Sequence, residues 1–158
     1  MRSHFLPSLA FLASLSFSVV ADGLGDQLAI VVSKTSPTEA LTSAELQKVF
    51  RAEKGKDSGG NKFVILMHEA GQPARDAALR GIYKMSEADY NKFFLQATFT
   101  GAVQSAPKAL PAAAVKRLIA ETPGAIGYLR ADEIDDKLKA VKIDGHAPGE
   151  PGYGLLMK

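Results

Sequence analysis

The chain has 158 residues, with 19 Lys plus Arg against 17 Asp plus Glu, 46% hydrophobic and 23% charged residues, and neither Cys nor Trp. That length accommodates one domain and hardly two, and the composition is that of a globule rather than a disordered chain. A formal charge of +2 is too small for the dense basic surface that grips a nucleic-acid backbone, so no nucleic-acid partner is expected. Absence of cysteine excludes disulfide frameworks, thiolate zinc sites, iron-sulfur clusters, thiol nucleophiles and a lipid-modified N-terminal cysteine.

The N-terminus reads as a secretory leader. Met1-Arg2-Ser3-His4 is a short positive lead, and Phe5 to Val20 is apolar, interleaved with serine and uncharged. Val19 and Ala21 are small enough for a signal peptidase, which places cleavage after Ala21. The alternative, a membrane anchor, needs about 20 strongly apolar residues, and this stretch is shorter and rich in serine. Removing 21 of the 158 residues leaves 137, and Arg2 takes one of the 19 basic groups with it. The expected product, residues 22–158, is a near-neutral, exported domain, periplasmic or secreted. No second long apolar run follows, so it is expected to be soluble.

Asp26 to Ser33 (D-Q-L-A-I-V-V-S) has the β-branched apolar run of a buried strand and ends in the polar cluster Lys34-Thr35-Ser36-Pro37. Thr42-Ser43-Ala44-Glu45 fits a capping box, and Leu46, Val49 and Phe50 share one face of the helix it opens, which runs to about Arg51. A Gly-rich charged turn, Glu53 to Lys62, leads into the fully apolar strand Phe63 to Met67. A strand, helix, strand unit of this kind implies parallel pairing.

Pro73 suits the first position of a helix whose Ala78, Leu79, Ile82 and Tyr83 form an apolar stripe. Ser86 caps a further helix in which Tyr90, Phe93, Phe94 and Ala97 recur at helical spacing, as core rather than as a stacking platform. That helix ends at Thr100-Gly101, and Gln104 to Pro107 is loop. Pro111 starts another helix, with Val115, Leu118 and Ile119 inward, ending at Thr122-Pro123-Gly124. Ala125 to Leu129 is a short strand, and Lys139 to Ile143 alternates like an edge strand with one wet face. The Pro- and Gly-rich tail beyond Asp144-Gly145 is expected to wrap the surface. The pattern is α/β, a compact domain with a small, mostly parallel sheet flanked by helices.

Enzyme templates fit poorly. His68 and His146 are the two histidines beyond the leader and are too far apart for a helix-borne metal pair; H-E-x-x-H, G-x-S-x-G and G-x-x-x-x-G-K-[ST] are absent. Gly23-Leu24-Gly25 precedes the first strand instead of following it, so it is no dinucleotide fingerprint. Asp132, Glu133, Asp135 and Asp136 read as a solvated loop or helix start rather than an acid and base pair. No catalytic activity, metal or cofactor is expected.

The better candidate is the junction from the second strand into its helix. Ligands of parallel α/β sheets collect at the carboxyl ends of strands, where helix N-termini expose N–H groups. His68, Glu69, Gly71, Gln72 and Arg75 fall there. Gly71 permits close backbone approach, and the Arg75 guanidinium can fork onto two anion oxygens. The Ser33-Lys34-Thr35-Ser36 loop is expected on the same edge, adding the hydroxyls of Ser33, Thr35 and Ser36 to a small oxyanion pocket. A simpler reading weighs equally: a helix start with Arg75 and Asp76 in surface ion pairs.

Four segments carry a resemblance: Leu41 to Phe50 (L-T-S-A-E-L-Q-K-V-F), Glu69 to Ala77 (E-A-G-Q-P-A-R-D-A), Phe99-Thr100-Gly101 with Ala106-Pro107-Lys108, and Thr122 to Tyr128 (T-P-G-A-I-G-Y). In this order they resemble phosphate ABC transporter substrate-binding proteins, and more closely their short exported relatives, over almost all of Leu28 to Tyr153. The resemblance implies a type II periplasmic-binding-protein fold and an anion held by an Arg, a nearby Asp and a Ser-Gly-Thr run at a helix start. In this chain His68 stands where that Arg falls, Ala70 where the Asp falls, and Gln72-Pro73-Ala74 replace Ser-Gly-Thr; Gly71 is retained. Short relatives carry an Arg followed by an acidic residue at the positions of Arg75 and Asp76.

Phosphate near neutral pH keeps a proton to donate and sulfate does not, so a phosphate site needs a carboxylate acceptor; Glu69 is the nearest. The reading is an exported solute-binding-like protein for phosphate or a similar small oxyanion, serving an ABC-type uptake or sensing system with a membrane permease as partner. The alternative is an interaction module of an envelope complex that keeps the fold and has lost the anion site. With 137 residues, a compact or open version of the fold is expected rather than a two-lobed clamshell.

Overall fold

The computed structural model describes residues 21–158; the leader expected at 1–21 lies, but for Ala21, outside the described residues. A short 3-10 helix, Ala21–Asp26, leads into strand β1, Leu28–Ser33. Then come β2 (Ala40–Leu41), α1 (Ser43–Phe50), β3 (Val64–His68), α2 (Pro73–Ala78), α3 (Glu87–Phe99), β4 (Lys108–Leu110), α4 (Ala112–Glu121), β5 (Ala125–Arg130), β6 (Leu138–Ala140) and β7 (Lys142–Ile143). Among the described residues, no helix is long and apolar enough to cross a membrane.

The local signals explain the helices. Thr42 accepts the Glu45 N–H at 3.2 Å while Glu45 accepts the Thr42 N–H at 3.0 Å, closing the capping box of α1. Pro73 opens α2, where its missing N–H costs nothing. That helix widens into a π-turn, Leu79–Tyr83, and stops at Lys84, which is left-handed with φ 57°. Ser86 caps α3 by accepting the Asp89 N–H at 3.1 Å.

Five strands form one sheet in the order β4-β3-β5-β1-β6. β3 is parallel to both β4 and β5, whereas β1 is antiparallel to β5 and to β6. The sheet is therefore mixed, not mostly parallel, and the first two long strands are not neighbours, because β5 lies between them. An apolar run reports burial on both faces and is silent on direction, which is why strand polarity escaped the pattern. The alternating segment 139–143 divides at the buried Val141, whose N–H still bonds the Ile30 carbonyl at 2.8 Å. Its first part, β6, edges the main sheet, and its second, β7, runs parallel to β2.

Alternate residues of the strands feed two cores. Leu28, Ile30, Val32, Met67, Ile126 and Tyr128 face α1, α2 and α3, while Ala29, Val31, Leu66, Ala125 and Leu129 face Val115 and Ile119 of α4. Tyr90 and Phe94 are buried and Phe93 is partly buried, so the α3 aromatics are core. The tail does not merely wrap the surface. Tyr153 and Leu155 are buried, the Tyr153 hydroxyl donates to the Leu28 carbonyl at 2.7 Å, and the Leu28 N–H donates to the Leu155 carbonyl at 3.0 Å.

Candidate functional site

Because β3, β4 and β5 run in one direction, the residues that follow His68, Leu110 and Arg130 emerge at a single edge of the sheet, where α2 and α4 begin. A cavity of about 350 Å³ opens there, lined among others by Asp26, His68, Gln72, Ala74, Ala112, Arg130 and Glu133. The helix starts at this edge differ from those elsewhere. α1 and α3 are closed by the side chains of Thr42 and Ser86, but the N-caps of α2 and α4 are Gln72 and Pro111, and neither supplies a side-chain cap. The N-terminal turns of two helices thus meet one cavity without the side-chain acceptor that an N-terminus normally recruits.

Between β3 and α2 the chain turns at Ala70-Gly71. Gly71 has φ 84°, and the Gln72 N–H returns to the Glu69 carbonyl at 3.4 Å. The left-handed conformation is what glycine supplies here. Glu69, Gly71 and Gln72 are exposed on this turn. The carboxylates that line the cavity are those of Asp26 and Glu133 rather than Glu69.

His68 ends β3 and is 3% exposed, stacked on the Tyr128 ring at 5.0 Å between centroids. Its Nε2 lies 3.0 Å from the Tyr128 carbonyl, and a carbonyl can only accept. Nε2 therefore carries the hydrogen and Nδ1 the lone pair. Burial holds the imidazole pKa below its ordinary value, against an opposing contribution from the Tyr128 hydrogen bond. At neutral pH the ring is an uncharged group with one acceptor nitrogen rather than a cation. The Tyr128 hydroxyl accepts the His68 N–H at 3.1 Å, and burial pushes that phenol's pKa well up.

Arg75 is not aimed at an incoming anion. It is 4% exposed, its Nε and NH2 donate to the two oxygens of Glu87 at 2.8 and 2.7 Å, and its NH1 donates to the His68 carbonyl at 2.9 Å. The guanidinium also sits 4.9 Å from the centroid of the Tyr90 ring. The fork expected to take an oxyanion takes Glu87 instead. This ion pair is buried on the arginine side, not the surface pair of the simpler reading. The cation that does line the cavity is Arg130, exposed and bonded to Asp132 at 2.9 Å. Spacing in the sequence did not single it out, because its place at this edge depends on the direction of β5, which only the pairing with β3 shows.

Ser33, Thr35 and Ser36 lie elsewhere. Leu28 pairs with Arg130 and Val32 with Ile126, so antiparallel β1 carries Ser33 to the opposite edge of the sheet from His68. The expectation of one shared pocket fails for this reason of strand direction. The three residues border a small cavity of about 140 Å³ with Thr122 and Pro123. Their polar groups are used locally: Ser33 and Thr35 hydroxyls lie 3.2 Å apart, and the Ser36 hydroxyl accepts the Thr38 N–H at 3.2 Å. Among the described residues, no cluster of three or more His, Asp or Glu side chains is placed to hold a metal ion.

No protein-family model matches the chain. Solved structures do resemble it in fold. One from Clostridium perfringens, described as a phosphate ABC transporter substrate-binding protein with bound phosphate, superposes with a TM-score of 0.62 at 24% identity, over 78% of this chain and 47% of the other. PstS from Borrelia burgdorferi gives 0.57 at 17% identity over 78% and 49%. An ABC-type phosphate transport receptor from Vibrio cholerae gives 0.56 at 20% identity over 78% and 48%. The chain spans about half the length of these proteins, and what it shares with them is the fold: a compact α/β domain with a central sheet flanked by helices.

Proposed function

We propose that this chain is an exported solute-binding-type domain that holds a small oxyanion, phosphate or a close analogue, at the carboxyl edge of β3, β4 and β5. The observation that carries the reading is the convergence of the uncapped starts of α2 and α4 on one cavity that also presents Arg130. Backbone N–H groups and a guanidinium are what an oxyanion needs. Glu133 and the Nδ1 lone pair of His68 supply acceptors for the proton that phosphate keeps and sulfate lacks. The neighbours named as phosphate receptors of ABC-type systems support a place in uptake or sensing, with a membrane permease as partner.

The set of residues differs from the one composition and spacing pointed to. Gln72 and His68 remain in the proposed site, Gly71 shapes the turn that leads to Gln72 and Glu69 is exposed on that turn, and Arg75 supports the site through the His68 carbonyl. Titration calorimetry of the purified protein with phosphate and with sulfate tests this. Phosphate is expected to bind, Arg130→Ala to weaken it about tenfold, the loss of one charge-assisted contact, and Glu133→Gln to narrow the preference over sulfate. Absence of heat from both anions at millimolar concentration would overturn it.

A second reading has its own observation. The only arginine of the β3–α2 junction is committed to Glu87 and His68, which favours an envelope interaction module that retains the fold without the anion site. Capture of a specific envelope protein by a chain that binds neither anion supports that alternative.

A further inference from the structure

A second cavity lies at the other end of β3. Pairing between β3 and β4 begins at Leu66 opposite Lys108, so Val64 and Ile65 run on past the start of β4. Pro107 has no N–H with which to extend the ladder, and the preceding segment 102–107 is bend and irregular chain rather than strand. The result is a cleft of about 450 Å³ between the strand end and that segment, floored by Phe63, Val64, Ile65, Val103 and Pro107. Val64 is 38% exposed in it.

The charge around this apolar floor has one sign. Lys54, Lys62 and Lys108 line the cleft and no carboxylate does. Lys54 reaches Glu45 at 3.0 Å, Lys62 meets only the neutral Gln104 amide oxygen at 3.2 Å, and Lys108 has no ion pair among the described residues. Lysine ammonium groups extend on flexible stems and gather a single negative head group well. The cleft's size is that of a small-molecule site, about 300–1,000 Å³, and too small for a docked helix or domain.

We propose that this cleft binds a small amphipathic anion, an alkyl or aryl body with one carboxylate or sulfonate, its body on Phe63, Val64 and Val103 and its head group between Lys62 and Lys108. A bare oxyanion gains nothing from an apolar floor, and an amphipathic cation is repelled by the rim. The cleft is separated from the oxyanion site proposed above by the length of β3, so each stands or falls without the other.

The test uses the dye anilinonaphthalene sulfonate with the full chain. Its fluorescence should rise to saturation at one site, octanoate should displace it, and octylammonium and phosphate should not. The double substitution Lys62→Glu, Lys108→Glu should weaken dye binding about tenfold, two exposed charge contacts reversed. Ala106→Trp, which fills the cleft without changing its charge, should abolish it. Leu95→Ser, Phe99→Ser, which removes the exposed apolar pair on α3, should leave it unchanged. Binding that survives the lysine reversal or Ala106→Trp, disappears with Leu95 and Phe99, or yields equally to octylammonium overturns the proposal.

Discussion

Glu87, the first residue of α3, holds Arg75 of α2 by both carboxylate oxygens, at 2.8 and 2.7 Å, with the arginine side chain 5% and the glutamate side chain 38% exposed. The pair fastens two consecutive helices to each other and, through the His68 carbonyl, to the end of β3. Losing the carboxylate charge strands a buried guanidinium, so Glu87→Gln should cost about 2 kcal/mol in denaturant titration, within the range of hydrogen bonds to charged groups. Arg75 holds the Glu87 carboxyl below its ordinary 4.5. The pair's contribution is therefore complete above that ordinary value and disappears as the pH falls through the lowered one. Glu87→Gln should flatten the acid limb of the stability profile.

His68 predicts a second pH dependence in a different window. Its folded pKa lies below the ordinary 6.5 because burial disfavours the imidazolium. As pH falls below 6.5 the unfolded chain takes up a proton that the folded chain refuses, so stability is complete above that value and declines as acidification approaches the lowered pKa. Thermal denaturation at pH 7 and pH 5 should show the decline, and His68→Gln should remove most of it. A slope unchanged by the substitution would locate the titration elsewhere.

Gly124 and Gly127 bracket the start of β5 and are set by close backbone approach. A methyl group on Gly124, whose φ is 77°, would lie only 2.2 Å from the Lys62 carbonyl oxygen. On Gly127 it would come within 2.8 Å of Ile119 Cδ1 and 3.0 Å of the Leu66 carbonyl oxygen. Gly124→Ala should destabilise by about 3 kcal/mol or more and Gly127→Ala by about 1–3 kcal/mol, the range for overpacking and backbone strain. Differential scanning calorimetry checks both, and the larger loss is expected at Gly124, where the obstacle is main chain.

Ala52 and Lys84 make the opposite case. Both follow helical segments with positive φ, 61° and 57°, and both carry a Cβ that the left-handed region disfavours. Ala52→Gly and Lys84→Gly should each stabilise by about 0.5–1 kcal/mol, the local strain relieved exceeding the entropy glycine adds to the unfolded chain. Their midpoints in urea should rise with unchanged slope.

The helices were legible in the sequence because their signals are local: a Thr-x-x-Glu box, a proline at the first turn and apolar residues three and four apart. Strand direction was not, since β1 and β3 carry equally apolar runs and only the pairing through β5 shows that they oppose each other. That missing sign moved Ser33, Thr35 and Ser36 from one end of the sheet to the other. The candidate site was half legible for a related reason. The turn at Gly71 and the buried His68 stand where the β3–α2 junction pointed, but the fate of Arg75 depended on Glu87, twelve residues on, and the cavity's own cation came from Arg130 on another strand. The glycines of the P-G-A-I-G-Y segment, one of the four that carry the resemblance, are accounted for by Gly124 and Gly127 fitting against Lys62, Leu66 and Ile119. They encode packing rather than ligand chemistry.

The docked tail changes how this protein should be handled. The Met157 N–H donates to the Asp26 carbonyl at 2.8 Å, and both residues border the cavity at the carboxyl edge of β3. An affinity tag or reporter fused after Lys158 would hang over the mouth of that cavity and compete with whatever enters it.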